Sequence, residues 1–272
     1  MRTHVTWLLA SIALAACASS SSSSEDSDQQ AVDALDDSSL ACVTSYVHER
    51  APIGLQITPV ALDLAGKSQK QVDQIGYGSY LVNATAACTD CHTPPGAPFM
   101  SGGLPFPLDA AGHVVFSRNL TPDANTGMQL TEAQFIESMR TGKDFHAGAT
   151  QIMLVMPWQT LRWTSAGDLK AMYAYLKAIP AVAHGTPPDN KVGMPLPPAV
   201  PFPAQFNEGD VVRNLPYDDG QIGPNLKRGI AIQPLAQPSL RNVDVNAFSR
   251  GSYLVNTLGT STRATRRTSA TR

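Results

Sequence analysis

Apolar side chains in the middle of the chain recur with the spacing of amphipathic helices. Over residues 130–140 one helical face is apolar, formed by Phe135, Ile136 and Met139. Thr131 followed three residues later by Gln134 is a capping-box pattern, which predicts the start of this helix. Gly142 predicts its end, because glycine readily adopts the left-handed conformation that closes a helix.

A longer helix is predicted over residues 165–179, where apolar side chains again follow helical spacing and Pro180 ends the run. A short helix is expected over residues 78–87. We expect these two helices to cross at Gly78, because the missing side chain there allows a close approach. Together these elements predict a mostly α protein.

The amino terminus has the pattern of an export signal. Arg2 gives a positive start, and the apolar run that follows is too short to span a bilayer. The run ends in two alanines before Cys17, which resembles a bacterial lipobox, so we expect residues 1–17 to be a lipoprotein signal peptide and Cys17 to carry the lipid. Ordinary secretory cleavage near Ala16 is the alternative. Residues 18–45, with their serine run and acidic residues, are expected to form a flexible tether.

Cys88, Cys91 and His92 form a C-x-x-C-H motif, the attachment pattern of c-type haem. The two cysteines can form thioethers to the vinyl groups of one haem, and the adjacent histidine can then be the proximal ligand of the iron. A redox-active cysteine pair would need a preceding strand, and a zinc site would need further ligands at matching spacing. A disulfide would leave His92 without a role. The motif therefore predicts covalently bound haem c.

The second axial ligand of the iron is expected later in the chain. Met156 is the preferred residue, because a methionine before a proline lies in an extended, rigid segment that suits a ligand loop. Met153 is the near rival, and Met100 is a weaker one. His113 or His146 would instead give two histidine ligands. A methionine and histidine pair would fill both axial positions and raise the reduction potential.

The stretch between residues 71 and 182 resembles a class I cytochrome c domain. More narrowly, it resembles the multi-haem cytochrome subunits that serve periplasmic alcohol and gluconate dehydrogenases. The resemblance is carried by the motifs at residues 78–83, 88–94, 117–123, 156–158 and 169–180. It covers about 110 residues, and it predicts a cytochrome c domain, a small helical bundle around one haem, over residues 46–182.

The resemblance also implies roles for individual residues. It makes Met156 the distal ligand of the iron. It implies that a carbonyl near Pro94 or Pro95 accepts a hydrogen bond from the ring of the proximal histidine. It further suggests that Arg118 and Asn119 lie near the haem propionates.

A six-residue segment occurs twice in the chain. Residues 251–256 repeat residues 78–83 letter for letter, which suggests two domains of one type. A second C-x-x-C-H motif would then fall at residues 261–265, where the chain instead turns into Thr, Arg and Ser. Cys-His-Thr-Pro can be written TGC CAC ACG CCG, and this stretch read one base late gives Ala-Thr-Arg-Arg, the sequence of residues 264–267. We therefore expect residues 250–272 to be a frameshifted stub of a second cytochrome c domain, with a second haem in an intact gene. A natural divergent tail is the alternative.

The segment between the two repeats is rich in proline and poor in periodicity. Residues 183–249 are therefore expected to form a long, stiff and irregular connector. In the resembling family such a segment wraps over the neighbouring haem domain. Cys42 is left without an assigned partner once Cys17 and the haem cysteines are accounted for.

Composition and charge narrow the choice of function. The chain of 272 residues is 43% hydrophobic and carries a net charge of −2, with 20 basic residues. Five of those basic residues lie in the leader and the tail, so the remaining core is clearly acidic and unsuited to nucleic acid. We expect a periplasmic, membrane-tethered carrier of electrons between a dehydrogenase or quinol and a downstream acceptor. A haem enzyme, such as a peroxidase or a thiosulfate-oxidising cytochrome with a displaceable axial ligand, is the alternative.

Overall fold

The computed structural model describes residues 47–146, 152–191 and 245–258. The expected signal peptide, Cys17, the tether over 18–45 and Cys42 lie outside these residues. Most of the predicted connector and the predicted tail beyond residue 258 lie outside them as well. Among the described residues, no helix is both long enough and apolar enough to cross a membrane.

The described chain is mostly helical, as predicted. Residues 47–57 form α1. The other helices are α2 (Gln69–Tyr80), α3 (Cys88–His92), α4 (Glu132–Thr141), α5 (Trp158–Leu161), α6 (Ala166–Ala178) and α7 (Val245–Tyr253). Two π-helical segments, Leu81–Thr85 and Leu254–Leu258, directly follow α2 and α7. One antiparallel hairpin consists of β1 (Pro105–Pro107) and β2 (Val114–Phe116).

The predicted helix over 78–87 is wrong in its bounds. Helix α2 begins nine residues earlier, where Ser68 and Gln71 form a capping box that the pattern S-x-x-Q could have signalled. Its first turns are polar and exposed, so apolar spacing gave no indication of them. After Tyr80 the helix widens into the π-helical segment, and Ala87 takes a left-handed conformation with φ of 49°. This turn separates α2 from the cysteine motif.

The predicted crossing of α2 and α6 at Gly78 is confirmed. A Cβ atom at Gly78 would lie 1.9 Å from the backbone oxygen of Ala171, so only glycine permits the observed contact. On another side of α2, a Cβ atom at Gly76 would lie 2.5 Å from the backbone oxygen of Ala51 in α1. Helix α2 is therefore held between α1 and α6 by backbone contacts at two glycines.

The ends predicted for the two amphipathic helices are confirmed. The Thr131 hydroxyl accepts a hydrogen bond from the Gln134 amide, and the Gln134 side chain bonds back to the Thr131 amide. Helix α4 ends at Gly142, which has φ of 78°. Helix α6 starts after Ser165, whose side chain accepts a hydrogen bond from the backbone of Asp168. Capping chemistry therefore sets these boundaries.

Residues 183–191 form a segment that returns across the helices and the hairpin, which we call the strap. Asn190 pairs with Val114 of β2 through two backbone hydrogen bonds of 2.8 and 3.0 Å. The His184 ring contacts the carbonyl oxygen of Ser101 through Nδ1 at 3.0 Å. The start of the predicted connector is therefore attached to the domain that precedes it.

The second copy of the repeat also packs onto this domain. Helix α7 begins by Val245, so the boundary expected between residues 249 and 250 falls inside a helix. The hydroxyl of Tyr253 accepts a hydrogen bond from the Ser165 amide at 2.8 Å and donates one to Asp168 at 2.9 Å. Tyr253 is fully buried, so this copy is docked at the N-terminus of α6.

Candidate haem site

One cavity of the described chain brings together the residues of the C-x-x-C-H motif. Cys88, Cys91 and His92 line it together with apolar side chains from α4, α6, the hairpin and the loop before α5. Both cysteines are half-buried and free of a disulfide. An apolar cavity with an imidazole and two thiols outside any disulfide on its wall suits a large flat cofactor that is attached through those thiols.

The His92 ring is held by the backbone of Arg118. Its Nδ1 atom lies 2.7 Å from the Arg118 carbonyl oxygen, so Nδ1 must carry the proton and Nε2 keeps the lone pair. The expectation that a carbonyl near Pro94 or Pro95 accepts this bond is therefore wrong. Burial of the ring lowers the pKa of His92, and the Arg118 carbonyl only partly opposes that effect. The ring is thus neutral and presents a free nitrogen, as an iron ligand must.

Gly102 brings the two backbone segments of this contact together. Its amide donates a hydrogen bond of 2.9 Å to the carbonyl oxygen of His92. A Cβ atom at Gly102 would lie 2.4 Å from the backbone carbon of Arg118, and the residue has φ of 71°. Position 102 therefore requires glycine both for its conformation and for the close approach. The motif Gly102-Gly103 was visible in the sequence, but its distant backbone partner was not.

The sulfur of Cys88 lies where ionisation is unfavourable. Removal from water, and then the neighbouring Cys91, raises the pKa of the Cys88 thiol to about 12. The Cys88 thiol is therefore neutral at neutral pH.

The structure separates the residues named as possible second axial ligands. Met156, Met153 and His146 all line the same cavity as His92. Met100 lies fully buried in the core, where its amide donates a hydrogen bond to the Thr93 hydroxyl. The geometry thus brings three of the five named residues to the cavity.

His113, the remaining named residue, lies in the connection between β1 and β2. Its ring pairs there with the Asp109 carboxylate, on an exposed part of the hairpin. It is not among the residues of the cavity wall that the structure describes. This position does not bring the His113 ring to the proposed iron site.

Trp158 fixes the loop that carries Met153 and Met156. Its indole nitrogen donates a hydrogen bond of 3.1 Å to the Met153 carbonyl oxygen, and its amide donates one of 2.8 Å to that of Met156. The indole lies against Gly142 at the end of α4, where a Cβ atom would come within 2.3 Å of the ring. In the sequence, Trp158 was notable only as part of the motif at residues 156–158, and its anchoring role was not predicted.

Arg118 and Asn119 both line the cavity, but their side chains are engaged differently. The Arg118 guanidinium pairs with Asp189 of the strap at 2.7 Å. Asn119 is 2% exposed, and its side-chain Nδ2 donates a hydrogen bond of 2.8 Å to the carbonyl oxygen of Val182. Asn119 therefore fixes the chain just before the strap, whereas Arg118 presents a charged group at the cavity wall.

The chain is similar in sequence to several known proteins. Over 183 residues, or 67% of its length, the chain is 28% identical to the gluconate 2-dehydrogenase cytochrome c subunit of Pantoea cypripedii. Over 171 residues, or 57% of its length, it is 28% identical to the cytochrome c subunit of the quinone-dependent alcohol dehydrogenase of Gluconobacter oxydans. The chain resembles the cytochrome c subunits of dehydrogenases. This confirms the resemblance inferred from the sequence motifs.

The similarity covers only part of the relatives. The chain spans 35% of the gluconate dehydrogenase subunit and 29% of the alcohol dehydrogenase subunit. A component of the nicotinate dehydrogenase of Pseudomonas putida is 30% identical over 179 residues, which is 65% of this chain but 13% of that protein. No model of a known protein family matches the chain. The relatives named as cytochrome subunits are electron-transfer components of their complexes rather than catalytic ones.

Proposed function

We propose that this chain is an electron-transfer cytochrome with one haem c in a class I domain over residues 46–182. Cys88 and Cys91 would hold the haem through thioethers, with His92 as the proximal ligand and Met156 as the distal ligand of the iron. The observation that carries the proposal is the His92 ring, which is buried, neutral and oriented by the Arg118 carbonyl on the wall shared with both cysteines.

The haem iron would supply the one-electron chemistry, and the chain's own residues would control access to it. The apolar side chains of α4 and α6 on the cavity wall exclude water from the site. The Arg118 carbonyl orients the proximal ring, and Trp158 fixes the loop of the distal methionine. With His92 and Met156 both holding the iron, the haem would supply outer-sphere electron transfer rather than bind a substrate.

The similarity to dehydrogenase cytochrome subunits supports a dehydrogenase as the electron donor. We place the chain in the periplasm, anchored to a membrane through the lipid on Cys17, and expect it to pass electrons to a downstream acceptor protein. A quinol is the alternative electron donor. Because the core is acidic, we do not expect nucleic acid to be a partner. Reducing the haem-loaded chain with a purified dehydrogenase or with a quinol would distinguish the two donors.

The haem-enzyme alternative is favoured by one observation, the presence of His146 and Met153 on the cavity wall beside Met156. Either side chain could serve as the resting ligand or as an acid–base group if the position opposite His92 were displaceable. Carbon monoxide binding to the reduced wild-type protein tests this directly. A carrier with a firm Met156 ligand resists the gas, whereas a haem enzyme binds it.

The decisive experiment compares Met156→Leu with Met153→Leu in chains that carry covalent haem. We expect Met156→Leu to lower the reduction potential and to open the reduced iron to carbon monoxide, because the thioether favours the ferrous state. Met153→Leu is the matched control and should leave both properties unchanged. The reverse result would assign the ligand to Met153. A wild-type chain without covalent haem by intact mass would refute the haem proposal itself.

A further inference from the structure

Four charged side chains meet on one wall of the cavity. Arg118 lies 2.7 Å from Asp189 and 3.9 Å from Asp144, measured between the guanidinium Nη2 and a carboxylate oxygen. The Lys191 ammonium lies 3.3 Å from Asp189 and 3.7 Å from Asp144. All four residues line the cavity, whose wall is otherwise largely apolar. We call this group the charge quartet.

The strap supplies half of the quartet and is fixed where it does so. The carboxylate of Asp189 accepts a hydrogen bond of 3.0 Å from the Phe116 amide on β2. The next residue, Asn190, forms the paired backbone bonds with Val114. Lys191 follows directly, so its position over the cavity is set by the edge of the hairpin rather than by a loose chain.

Both cations of the quartet keep hydrogen-bond capacity that the described residues do not use. Arg118 makes its close contact through one nitrogen of a group with five N–H donors. Lys191 has three donors, and its ion pairs are long at 3.3 and 3.7 Å. Lys143, also on the cavity wall, differs because it pairs with Glu137 at 2.9 Å. The carboxylates therefore position Arg118 and Lys191 without saturating them.

We propose that Lys191, together with Arg118, binds the two propionate carboxylates of the haem, which makes the strap part of the cofactor site. This inference rests on the proposed function. A haem is an apolar disc with two carboxylates at one edge, and charged groups at one part of an apolar cavity determine which way that edge faces. Asp144 and Asp189 hold the cations in place and also reduce their net charge, so the quartet sets the electrostatic potential at that edge.

The test uses haem-loaded protein and the variant Lys191→Gln. The propionate bending modes in the resonance Raman spectrum should shift, because they report hydrogen bonds to the carboxylates. The reduction potential should fall, because loss of a nearby positive charge favours the ferric state. At a fixed solution potential, we expect the ratio of oxidised to reduced protein to rise about threefold. This is the effect expected when one positive charge is removed at the edge of the site.

Two further lysine variants separate a propionate contact from a general charge effect. Lys191→Arg should restore both the Raman modes and the potential, because it keeps the charge and the donors. Lys177→Gln, on an exposed position of α6, removes the same charge away from the cavity and should leave the Raman modes unchanged. Unshifted propionate modes in Lys191→Gln would overturn the inference.

The acidic half of the quartet gives a test of opposite sign. Asp144→Asn removes a negative charge at the same wall, so the potential should rise where Lys191→Gln lowers it. Equal potentials in Asp144→Asn and wild type would contradict a quartet that acts on the haem edge. Failure of this inference is distinguishable from failure of the proposed function, because every variant is first shown to carry covalent haem by intact mass.

Discussion

The two copies of the repeat have the same six residues and the same backbone but opposite environments. In each copy the α-helix ends at a tyrosine and continues as a five-residue π-helical segment. In each copy the side-chain Nδ2 of the asparagine donates a hydrogen bond of 3.0 Å to the serine hydroxyl four residues earlier. The pairs are Asn83 with Ser79 and Asn256 with Ser252. Local shape is therefore a property of the repeated residues.

The two copies bury different faces against the rest of the protein. Gly78 is in backbone contact with α6, whereas no described atom from elsewhere in the chain lies within 4 Å of the Cβ position of Gly251. Val82 is fully buried, and its counterpart Val255 is 49% exposed. The same segment can thus pack through its glycine face or leave that face open, depending on its neighbours.

The tyrosines show the reverse relation. Tyr80 is half-buried, while Tyr253 is fully buried with its hydroxyl between the Ser165 amide and the Asp168 carboxylate. The first copy is therefore part of the packed core between α1 and α6, and the second is docked at the N-terminus of α6 through one side chain. Identical residues therefore carry different stabilising roles at the two sites.

The largest difference is expected at the two glycines. Gly78→Ala should lower the free energy of unfolding by about 3 kcal/mol, because the new methyl group overlaps the Ala171 backbone and forces α2 and α6 apart. Gly251→Ala should raise it slightly, by up to about 1 kcal/mol, since alanine favours a helix and meets no neighbour among the described residues. Denaturant unfolding of the haem-loaded variants measures both. Equal losses of stability at the two positions would contradict the different packing of Gly78 and Gly251.

The tyrosines should give a smaller difference in the opposite direction. Tyr253→Phe removes a buried hydroxyl that joins an amide and a carboxylate, so it should cost about 2 kcal/mol. Tyr80→Phe should cost less than about 0.5 kcal/mol, because Tyr80 is half-buried and no described group bonds its hydroxyl. Thermal unfolding of the two variants tests this. A greater loss at Tyr80 would show that the second copy is not docked through Tyr253.

The asparagines should give the smallest difference. Asn83 also donates a hydrogen bond of 2.9 Å to the Tyr175 hydroxyl, so Asn83→Ala should cost about 1.5 kcal/mol. Asn256→Ala loses only the local bond to Ser252 and should cost about 0.5 kcal/mol. Unfolding midpoints of the two variants test this, because their difference reports the bond from the π-helical segment to Tyr175 of α6.

Local signals in the sequence predicted much of this fold. The capping box at Thr131, the helix end at Gly142 and the crossing at Gly78 each depend on residues close in sequence or on a single small residue, and each is confirmed. The start of α2 was missed because its first turns are polar, although Ser68 and Gln71 carried the capping signal. Side-chain periodicity detects buried faces, so it is insensitive to an exposed helical turn.

The site was less predictable than the motif that defines it. Spacing alone brought Cys88, Cys91 and His92 together, but the carbonyl that orients His92 lies 26 residues away in sequence. The charge quartet likewise joins Arg118 and Asp144 to Asp189 and Lys191 of the strap, which lie more than ten residues beyond the end of α6. Such contacts depend on how loops return across the domain, and neither periodicity nor composition reports that path.

The bond between His92 and Arg118 has a consequence for how this site can change over evolutionary time. The atom that orients the imidazole is a backbone oxygen, which every amino acid possesses, so a substitution at position 118 does not remove it. Replacing the side chain at the same position would change the charge at the cavity wall and remove the ion pair with Asp189, while the backbone oxygen stays. The geometry of the proposed iron ligand and the electrostatics around it therefore depend on different atoms of one residue.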